Sequence, residues 1–324
     1  MSKIKNIGVL TSGGDSPGMN AAIRAVVRAS IYYDLQVTGI LRGYEGLING
    51  DFIEMDRKSV ANIIQRGGTI LKTARSDEFR TKEGRQKAYD QLKKHEVDAL
   101  IVIGGDGTFT GANLFTQEFG FPIVGLPGTI DNDLEGTDFT IGYDTAINTV
   151  INAVDKIRDT AESHDRLFIV EVMGRDSGLI ALRSGIGVGA EAILIPESKT
   201  NVDSLLLRIE NSRKDKASKI IIVAEGDHSG AFELADVVKE KFPNLDTRLS
   251  ILGHIQRGGR PTCMDRVLAS RLGVASVEAL LAGRKGDMIG IIHKDIHYTP
   301  FKNAIKHINT ADPNMLKIVE ILSL

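Results

Sequence analysis

Short, continuous apolar runs recur along the chain, separated by longer stretches of helical pattern. The runs are Ile7-Gly8-Val9-Leu10-Thr11, Ala99-Leu100-Ile101-Val102-Ile103, Pro122-Ile123-Val124-Gly125-Leu126, Leu167-Phe168-Ile169-Val170-Glu171-Val172 and Ile220-Ile221-Ile222-Val223-Ala224. They are rich in Val and Ile, as strands covered on both faces should be. Met19 to Tyr33 and Thr145 to Glu162 read as helices between them. Strand and helix in alternation predict an α/β architecture with parallel sheets. The strands also end alike, in Ser12-Gly13-Gly14-Asp15, Gly104-Gly105-Asp106-Gly107, Met173-Gly174-Arg175-Asp176 and Glu225-Gly226-Asp227. Open α/β sheets bind ligands beyond the carboxyl ends of their strands. Four glycine-containing loops therefore point at one or two crevices, and the similarity between halves suggests two related lobes meeting near residues 140 to 145.

Ser12-Gly13-Gly14-Asp15-Ser16-Pro17-Gly18-Met19-Asn20 joins a strand to a helix through a glycine turn. Such a turn lets backbone N–H groups and a helix N-terminus face phosphate. It lacks the Gly-Lys-Ser/Thr ending of a Walker A loop, and a plain strand-to-helix turn has the same pattern. Gly104-Gly105-Asp106-Gly107-Thr108 is sharper. Mg²⁺ takes one or two protein carboxylates plus phosphate oxygens and water, which suits Asp106, and Gly107 leaves space for a nucleotide. Helix capping by Asp106 is the plain alternative. The Gly-Gly-Asp-Gly-Thr run recurs in several kinase families, so it argues for phosphoryl transfer without naming a substrate.

Pro127-Gly128-Thr129-Ile130-Asp131-Asn132-Asp133 sets two carboxylates beside these loops. They would repel a phosphorylated substrate unless a metal is present or one acid orients the attacking hydroxyl and takes its proton. An Asx turn is the plain alternative, and spacing leaves Asp131 and Asp133 both open as the base. Positive charge is available at Arg175 and in Leu252-Gly253-His254-Ile255-Gln256-Arg257-Gly258-Gly259-Arg260. Arginine forks bind phosphate bidentately. The pattern suits a substrate that already carries a phosphate and offers a free hydroxyl.

Composition narrows the setting. Hydrophobic residues make up 42% and charged residues 25% of 324, with a formal net charge of -2. A globular chain of one large or two smaller domains follows, with no bulk charge to draw nucleic acid or an anionic membrane. The single cysteine, Cys263, excludes a disulfide within the chain. No apolar run reaches membrane-spanning length and no signal-peptide core opens the sequence, so a cytoplasmic enzyme is expected.

Taken together, Leu10-Thr11-Ser12-Gly13-Gly14-Asp15, the Gly104 to Thr108 and Pro127 to Asp133 runs, Val172-Met173-Gly174-Arg175 and Gly253-His254-Ile255-Gln256-Arg257-Gly258-Gly259 resemble the bacterial ATP-dependent 6-phosphofructokinase family over essentially the whole chain. The resemblance implies two similar three-layer lobes, each with a central mainly parallel sheet flanked by helices. Residues 1–141 plus 256–305 would bind ATP, and 142–255 plus 306–324 the sugar phosphate. The implied reaction takes ATP and fructose 6-phosphate to ADP and fructose 1,6-bisphosphate with Mg²⁺. Gly13, Tyr44, Arg75, Gly105, Asp106, Gly107 and Thr108 would line the ATP site, with Asp106 on the metal. Asp131 would be the base, with Thr129 and Arg175 beside the transferred group. Met173, Gly174, Arg175, Glu225, His254 and Arg257 would hold the sugar phosphate, together with Arg166 and Arg248 reaching in from a neighbouring subunit of a homotetramer.

Pyrophosphate-dependent relatives carry Asp where Gly107 stands and Lys where Gly128 stands, so the two glycines favour ATP. The resemblance also implies an effector site for ADP or phosphoenolpyruvate between subunits, at Arg24, Arg28, Arg57, Arg158, Gly189, Glu191, Lys214 and Lys216. Asn62 replaces an Asp frequent in bacterial relatives, and Ser218 stands where a basic residue may occur. An NAD or lipid kinase would share Gly104 to Thr108 but leaves the other motifs unexplained. A non-catalytic subunit would not need both Asp106 and Asp131.

Overall fold

The computed structural model of the chain describes residues 4–164, 166–198, 202–211, 219–228, 230–305 and 312–322. The strands are β1 (Asn6–Thr11), β2 (Gln36–Ile40), β3 (Phe52–Glu54), β4 (Ala99–Gly104), β5 (Ile123–Pro127), β6 (Leu167–Val172), β7 (Ala192–Leu194), β8 (Lys219–Ala224), β9 (Thr247–Ile251), β10 (Asp287–Ile292) and β11 (Asp295–Pro300). The α-helices are α1 (Met19–Tyr32), α2 (Gly43–Asn49), α3 (Lys82–Lys94), α4 (Asp106–Phe119), α5 (Tyr143–Glu162), α6 (Leu179–Gly187), α7 (Val202–Asn211), α8 (Ala231–Lys241), α9 (Cys263–Leu281), α10 (Phe301–Ala304) and α11 (Pro313–Leu322). The chain divides into two compact units. Unit 1 is Met1–Ile130, Leu134–Thr145 and Arg257–Ile308, and unit 2 is Asp131–Asp133, Ala146–Gln256 and Asn309–Leu324.

Unit 1 is built on a seven-stranded sheet, ordered β11-β10-β5-β4-β1-β2-β3. Its central strands run parallel, and antiparallel β3 and β11 close the edges. Every residue of β1, β4 and β5 is buried, which explains their unbroken apolar sequence. Two cores flank the sheet. One packs Ile23, Val26 and Val27 of α1 and Leu268, Leu272 and Val277 of α9 against Ile7, Val9 and Ile101. The other packs Leu47, Leu92, Phe109 and Phe115 against Leu10, Leu100 and Val102. Alternate residues of each strand thus face opposite helical layers. Gly273 lets α9 approach α1, since a Cβ there would lie 2.5 Å from Ala25 Cβ.

Unit 2 has a four-stranded, all-parallel sheet ordered β7-β8-β6-β9. Leu167, Ile169, Leu194, Ile221 and Val223 face a core shared with Leu205 and Ile209 of α7 and Leu234 and Val238 of α8. Ile193 points the other way, to α6, where Gly185 leaves room for its side chain. Each unit is therefore a three-layer α/β body with a mainly parallel sheet, as the alternating pattern predicts.

Candidate active site

In unit 1 the two glycine loops leave adjacent strands. Ser12 N–H continues the β1–β4 pairing by donating to Ile103 O at 3.0 Å, after which Gly13 turns at φ +84°. Only a residue without Cβ makes that turn cheaply. Thr73 Oγ donates to Gly13 O at 2.5 Å, tying the loop to the segment that ends in exposed Arg75. Asn20 secures the same segment, donating to Arg66 O and Gly67 O at 3.1 Å and accepting from Ile70 N–H at 2.8 Å. Arg257 belongs to this unit too. A Cβ on Gly14 would sit 2.5 Å from Arg257 Nη1, and that guanidinium reaches Asp15 O at 3.4 Å. The resemblance gives Arg257 to the sugar phosphate, while Gly14 and Asp15 of the first phosphate loop lie against it here.

β4 runs into α4 through Gly104 and Gly105. Gly105, in extended conformation, occupies the capping position, and Asp106 is the first helical residue. A simple cap therefore does not account for Asp106. Gly105 has no side chain with which to cap α4, whose first turn presents the positive end of the helix dipole. A Cβ on Gly107 would meet nothing within 4 Å. Thr108 Oγ1 is buried and has no hydrogen-bond partner among the described residues. Tyr44, nearly buried, donates from its hydroxyl to Thr108 O at 2.6 Å and stacks on Phe79 with ring centroids 3.9 Å apart. Burial pushes its phenol far above the usual value, so it acts as a neutral donor behind the loop.

These features fit a bound nucleotide polyphosphate. An uncapped helix start, open space at Gly107, an unpaired buried hydroxyl and one half-buried carboxylate lie together. Among the described residues, no group of three or more His, Cys, Asp or Glu could hold a metal by itself. A Mg²⁺ carried by phosphate oxygens and completed by Asp106 suits that donor set. The glycines that bear on donor choice differ physically. Position 107 is open, whereas a Cβ at Gly128 would lie 3.0 Å from Ile103 Cγ2 and 3.1 Å from Met19 Cε. Thr129, buried at the end of the β5 loop, accepts at its carbonyl from Thr140 Oγ at 2.7 Å.

Asp131 falls within unit 2 and is 3% exposed. Arg175 Nε lies 3.8 Å from its Oδ2, and Ser177 Oγ donates to its backbone carbonyl at 3.0 Å. Arg175 holds an uncommon left-handed conformation, φ +52°. Such strain persists where surrounding groups over-determine it. Here Glu225 Oε1 accepts from Gly174 N–H at 3.2 Å and Arg175 N–H at 2.8 Å, and Gly226 clears the path, since a Cβ there would lie 1.9 Å from Arg175 O. Glu225, expected as a sugar-phosphate ligand, thus also shapes the loop that presents Arg175.

Buried Met173 donates its N–H to Gln256 Oε1 at 3.2 Å, and Gln256 Nε2 donates to Gly253 O at 3.0 Å. Gln256 therefore links the two loops, with His254 left exposed on the short 3₁₀ turn Gly253–Arg257. Asp133 is half-buried. Arg166 and Arg248 share one carboxylate: Asp246 receives Arg166 Nε at 2.7 Å and Arg248 Nε at 2.8 Å. The Arg166 hydrogen bond, aided by Arg248, holds the Asp246 carboxyl below its usual range. Sequence alone did not single out Gln256, Asp246 or Thr73. The signal available for Gln256 was its place inside the glycine-rich His254–Arg257 turn.

The expected effector residues divide between units. Arg24 and Arg28 lie one turn apart on α1, and burial plus the Arg28 charge lower the pKa of Arg24. Arg57 is exposed, and Asn62 takes a left-handed conformation, φ +55°. In unit 2, Arg158 donates to Val188 O, Gly189 turns at φ +61°, and Glu191 Oε2 accepts from Ile220 N–H at 2.5 Å. Lys214, Lys216 and Ser218 lie outside the described residues.

Comparison with known proteins fits this geometry. A family model described as Phosphofructokinase matches residues 6–280. The chain is 57% identical over 326 residues to "ATP-dependent 6-phosphofructokinase 2" of Bacteroides thetaiotaomicron, covering 100% of both chains. It is also 57% identical over 322 residues to "ATP-dependent 6-phosphofructokinase" of Cytophaga hutchinsonii, covering 99% of this chain and 98% of the relative. Among solved structures, phosphofructokinase from Saccharomyces cerevisiae superposes with TM-score 0.90 at 39% identity, over 98% of this chain and 47% of that one, so this chain spans about half of the yeast chain. A pyrophosphate-dependent phosphofructokinase from Marinobacter aquaeolei shares the fold, with TM-score 0.85 at 22% identity over 98% of this chain and 91% of that one.

Proposed function

Because the chain belongs to the phosphofructokinase family, we propose that it is an ATP-dependent 6-phosphofructokinase, moving the γ-phosphoryl of ATP to the 1-hydroxyl of fructose 6-phosphate in glycolysis. The observation that carries the choice of donor is the start of α4, where open space at Gly107 adjoins Asp106 and the unpaired Thr108 hydroxyl. ATP binds at the loops of unit 1, its phosphates facing the N–H groups of the first α4 turn and of Gly13. Tyr44 holds the loop from behind, and Arg75 supplies positive charge. Asp106 would hold Mg²⁺, which would neutralise phosphate charge when bound. Fructose 6-phosphate binds through Met173, Gly174, Arg175, Glu225, His254 and Arg257.

Asp131 orients the 1-hydroxyl and takes its proton as the new O–P bond forms and the bond from the γ-phosphorus to the bridging oxygen of ADP breaks. Its burial keeps competing water away, and Arg175 balances charge on the transferred group. Thr129 approaches the same group from the preceding residues. The enzyme is a cytoplasmic homotetramer in which Arg166 and Arg248, held as a pair by Asp246, serve the site of a neighbouring subunit. ADP or phosphoenolpyruvate binds an effector site built from Arg24, Arg28, Arg57, Arg158, Gly189, Glu191, Lys214 and Lys216. Burial and the Arg28 charge lower the Arg24 pKa, a cost that a bound anion would offset, which supports that reading.

The test is a coupled assay of the purified chain with fructose 6-phosphate, comparing MgATP with pyrophosphate. ATP-dependent formation of the bisphosphate is expected. Turnover with pyrophosphate alone would reassign the donor, and turnover with neither would reduce the chain to a binding protein.

A further inference from the structure

A buried carboxylate that none of the motifs contains sits behind both loops of unit 1. Asp265, in the first turn of α9, is 1% exposed. Its Oδ1 accepts from Gly142 N–H at 2.8 Å, and its Oδ2 accepts from Thr145 N–H at 2.8 Å and from the Thr145 hydroxyl. Thr145 Oγ in turn accepts from Thr262 N–H at 3.0 Å, and Thr262 caps α9 by accepting from Asp265 N–H at 3.2 Å. The two helix starts are thus laced together, and Asp265 supplies from α9 an acceptor for N–H groups at the start of α5.

The segment so held touches both phosphate-side loops. Thr140 Oγ donates to Thr129 O at 2.7 Å, and Ile141 N–H donates to Pro127 O at 2.8 Å. Gly142, at φ +106°, presses on the first loop: a Cβ there would lie 2.6 Å from Ser16 Cβ. A Cβ on Gly18 would likewise lie 2.6 Å from Ile141 Cγ2. Any rotation of residues 140–145 therefore shifts residues 12–18 and 127–129 together.

We infer that Asp265 is a positioning residue for phosphoryl transfer, whose carboxylate fixes residues 140–145 and through them sets the nucleotide loop against the loop that runs into Asp131. The inference rests on the reaction assigned above. Burial raises the Asp265 pKa to about 6 despite its hydrogen bonds, and Asp144, the charged neighbour on α5, raises it further. A carboxylate kept in such a place against the tendency of its surroundings is a costly anchor for structure alone.

The full-length chain carrying Asp265→Asn tests this, beside Thr145→Val and the conservative Thr145→Ser. In Asp265→Asn and Thr145→Val, kcat is expected to fall at least tenfold while KM for ATP and for fructose 6-phosphate changes less than threefold. Thr145→Ser, which keeps the hydroxyl, should stay within twofold of the parent in kcat. Amide hydrogen exchange without substrates should accelerate in residues 12–18 and 127–130 but not in β1 or β4. If Asp265→Asn does not fold, the Thr145 pair carries the same comparison. An unchanged kcat in a folded variant overturns the proposal. So does a fall in kcat without faster exchange in the two loops, or exchange that rises equally through β1 and β4. If the parent chain does not turn over fructose 6-phosphate at all, the assigned reaction fails, and the exchange comparison alone decides the role of Asp265.

Discussion

The two units finish the carboxyl ends of their strands in different materials. In unit 1 the loops are glycine backbone held mostly by neutral groups, Thr73 on Gly13, Tyr44 on Thr108 and Thr140 on Thr129, with Arg257 on Asp15 O added. In unit 2 charged side chains hold one another or the chain: Glu225 on the Gly174 and Arg175 amides, Arg175 toward Asp131, Asp246 between Arg166 and Arg248. The difference matches the tasks assigned to them. A polyphosphate is bound well by fixed N–H dipoles that bring no competing charge. Orienting a hydroxyl and taking its proton needs side chains that carry charge and can exchange it.

The largest effect should come from removing the proposed proton acceptor of the charged half. Asp131→Asn is expected to lower kcat roughly 10²–10⁴-fold, while equilibrium binding of fructose 6-phosphate, read by calorimetry, persists. Near-normal turnover would remove Asp131 from the chemistry and turn attention to Asp133.

Asp265 is a buried charge within the glycine half, where Arg257 against the first loop is another charged group, and pH should expose it. Its pKa rises from an ordinary 3.8 to about 6 on folding, so the folded chain binds this proton more tightly than the unfolded chain. Stability contributed by the group is complete below about pH 4 and is lost as pH rises through about 6, on the order of 3 kcal/mol in all. Asp265→Asn has no such slope. Its stability relative to the parent should therefore increase from pH 4 to pH 7 in parallel denaturation curves, and a pH-independent difference would contradict the burial argument.

The smallest effects separate two glycines of one motif. A Cβ on Gly104 would sit 2.3 Å from Thr108 Oγ1 and 2.5 Å from Ser12 O, whereas one on Gly107 meets nothing. Gly104→Ala should cost roughly 1–3 kcal/mol of stability by overpacking. Gly107→Asp should leave thermal unfolding nearly unchanged but raise KM for ATP about tenfold or more, since one lost decade of affinity corresponds to roughly 1.4 kcal/mol of charge repulsion. Equal effects of the two substitutions on folding would mean that the loop is not preorganised.

Much of the fold was legible because burial on both faces leaves no choice of residue. The five continuous apolar runs all form strands, β1, β4, β5, β6 and β8. The strands that the runs did not mark are short or lie near edges. β3 and β7 have three residues each, and β9, at the edge of its sheet, mixes polar and apolar positions because it is only partly covered. β10 is apolar throughout its centre but follows directly on Arg284-Lys285-Gly286, which hides it in a charged context. In the site, the glycine turns and the Asp106 and Asp131 loops were visible because their chemistry is local. The groups that hold them were not: Arg166 finds Asp246 across 80 residues, Met173 finds Gln256 across 83, and Thr145 finds Asp265 across 120.

By itself the sequence determined the alternation of buried strands and helices, the family, and the loops that can face phosphate, since all of these depend on residues within a few positions of one another. Tertiary structure alone decided that Glu225 shapes the Arg175 loop, that Arg257 lies against Gly14, and that Asp265 anchors the segment beneath both unit 1 loops. A buried polar group must find its partner within about 3 Å, and which partner that is depends on how distant strands and helices come together.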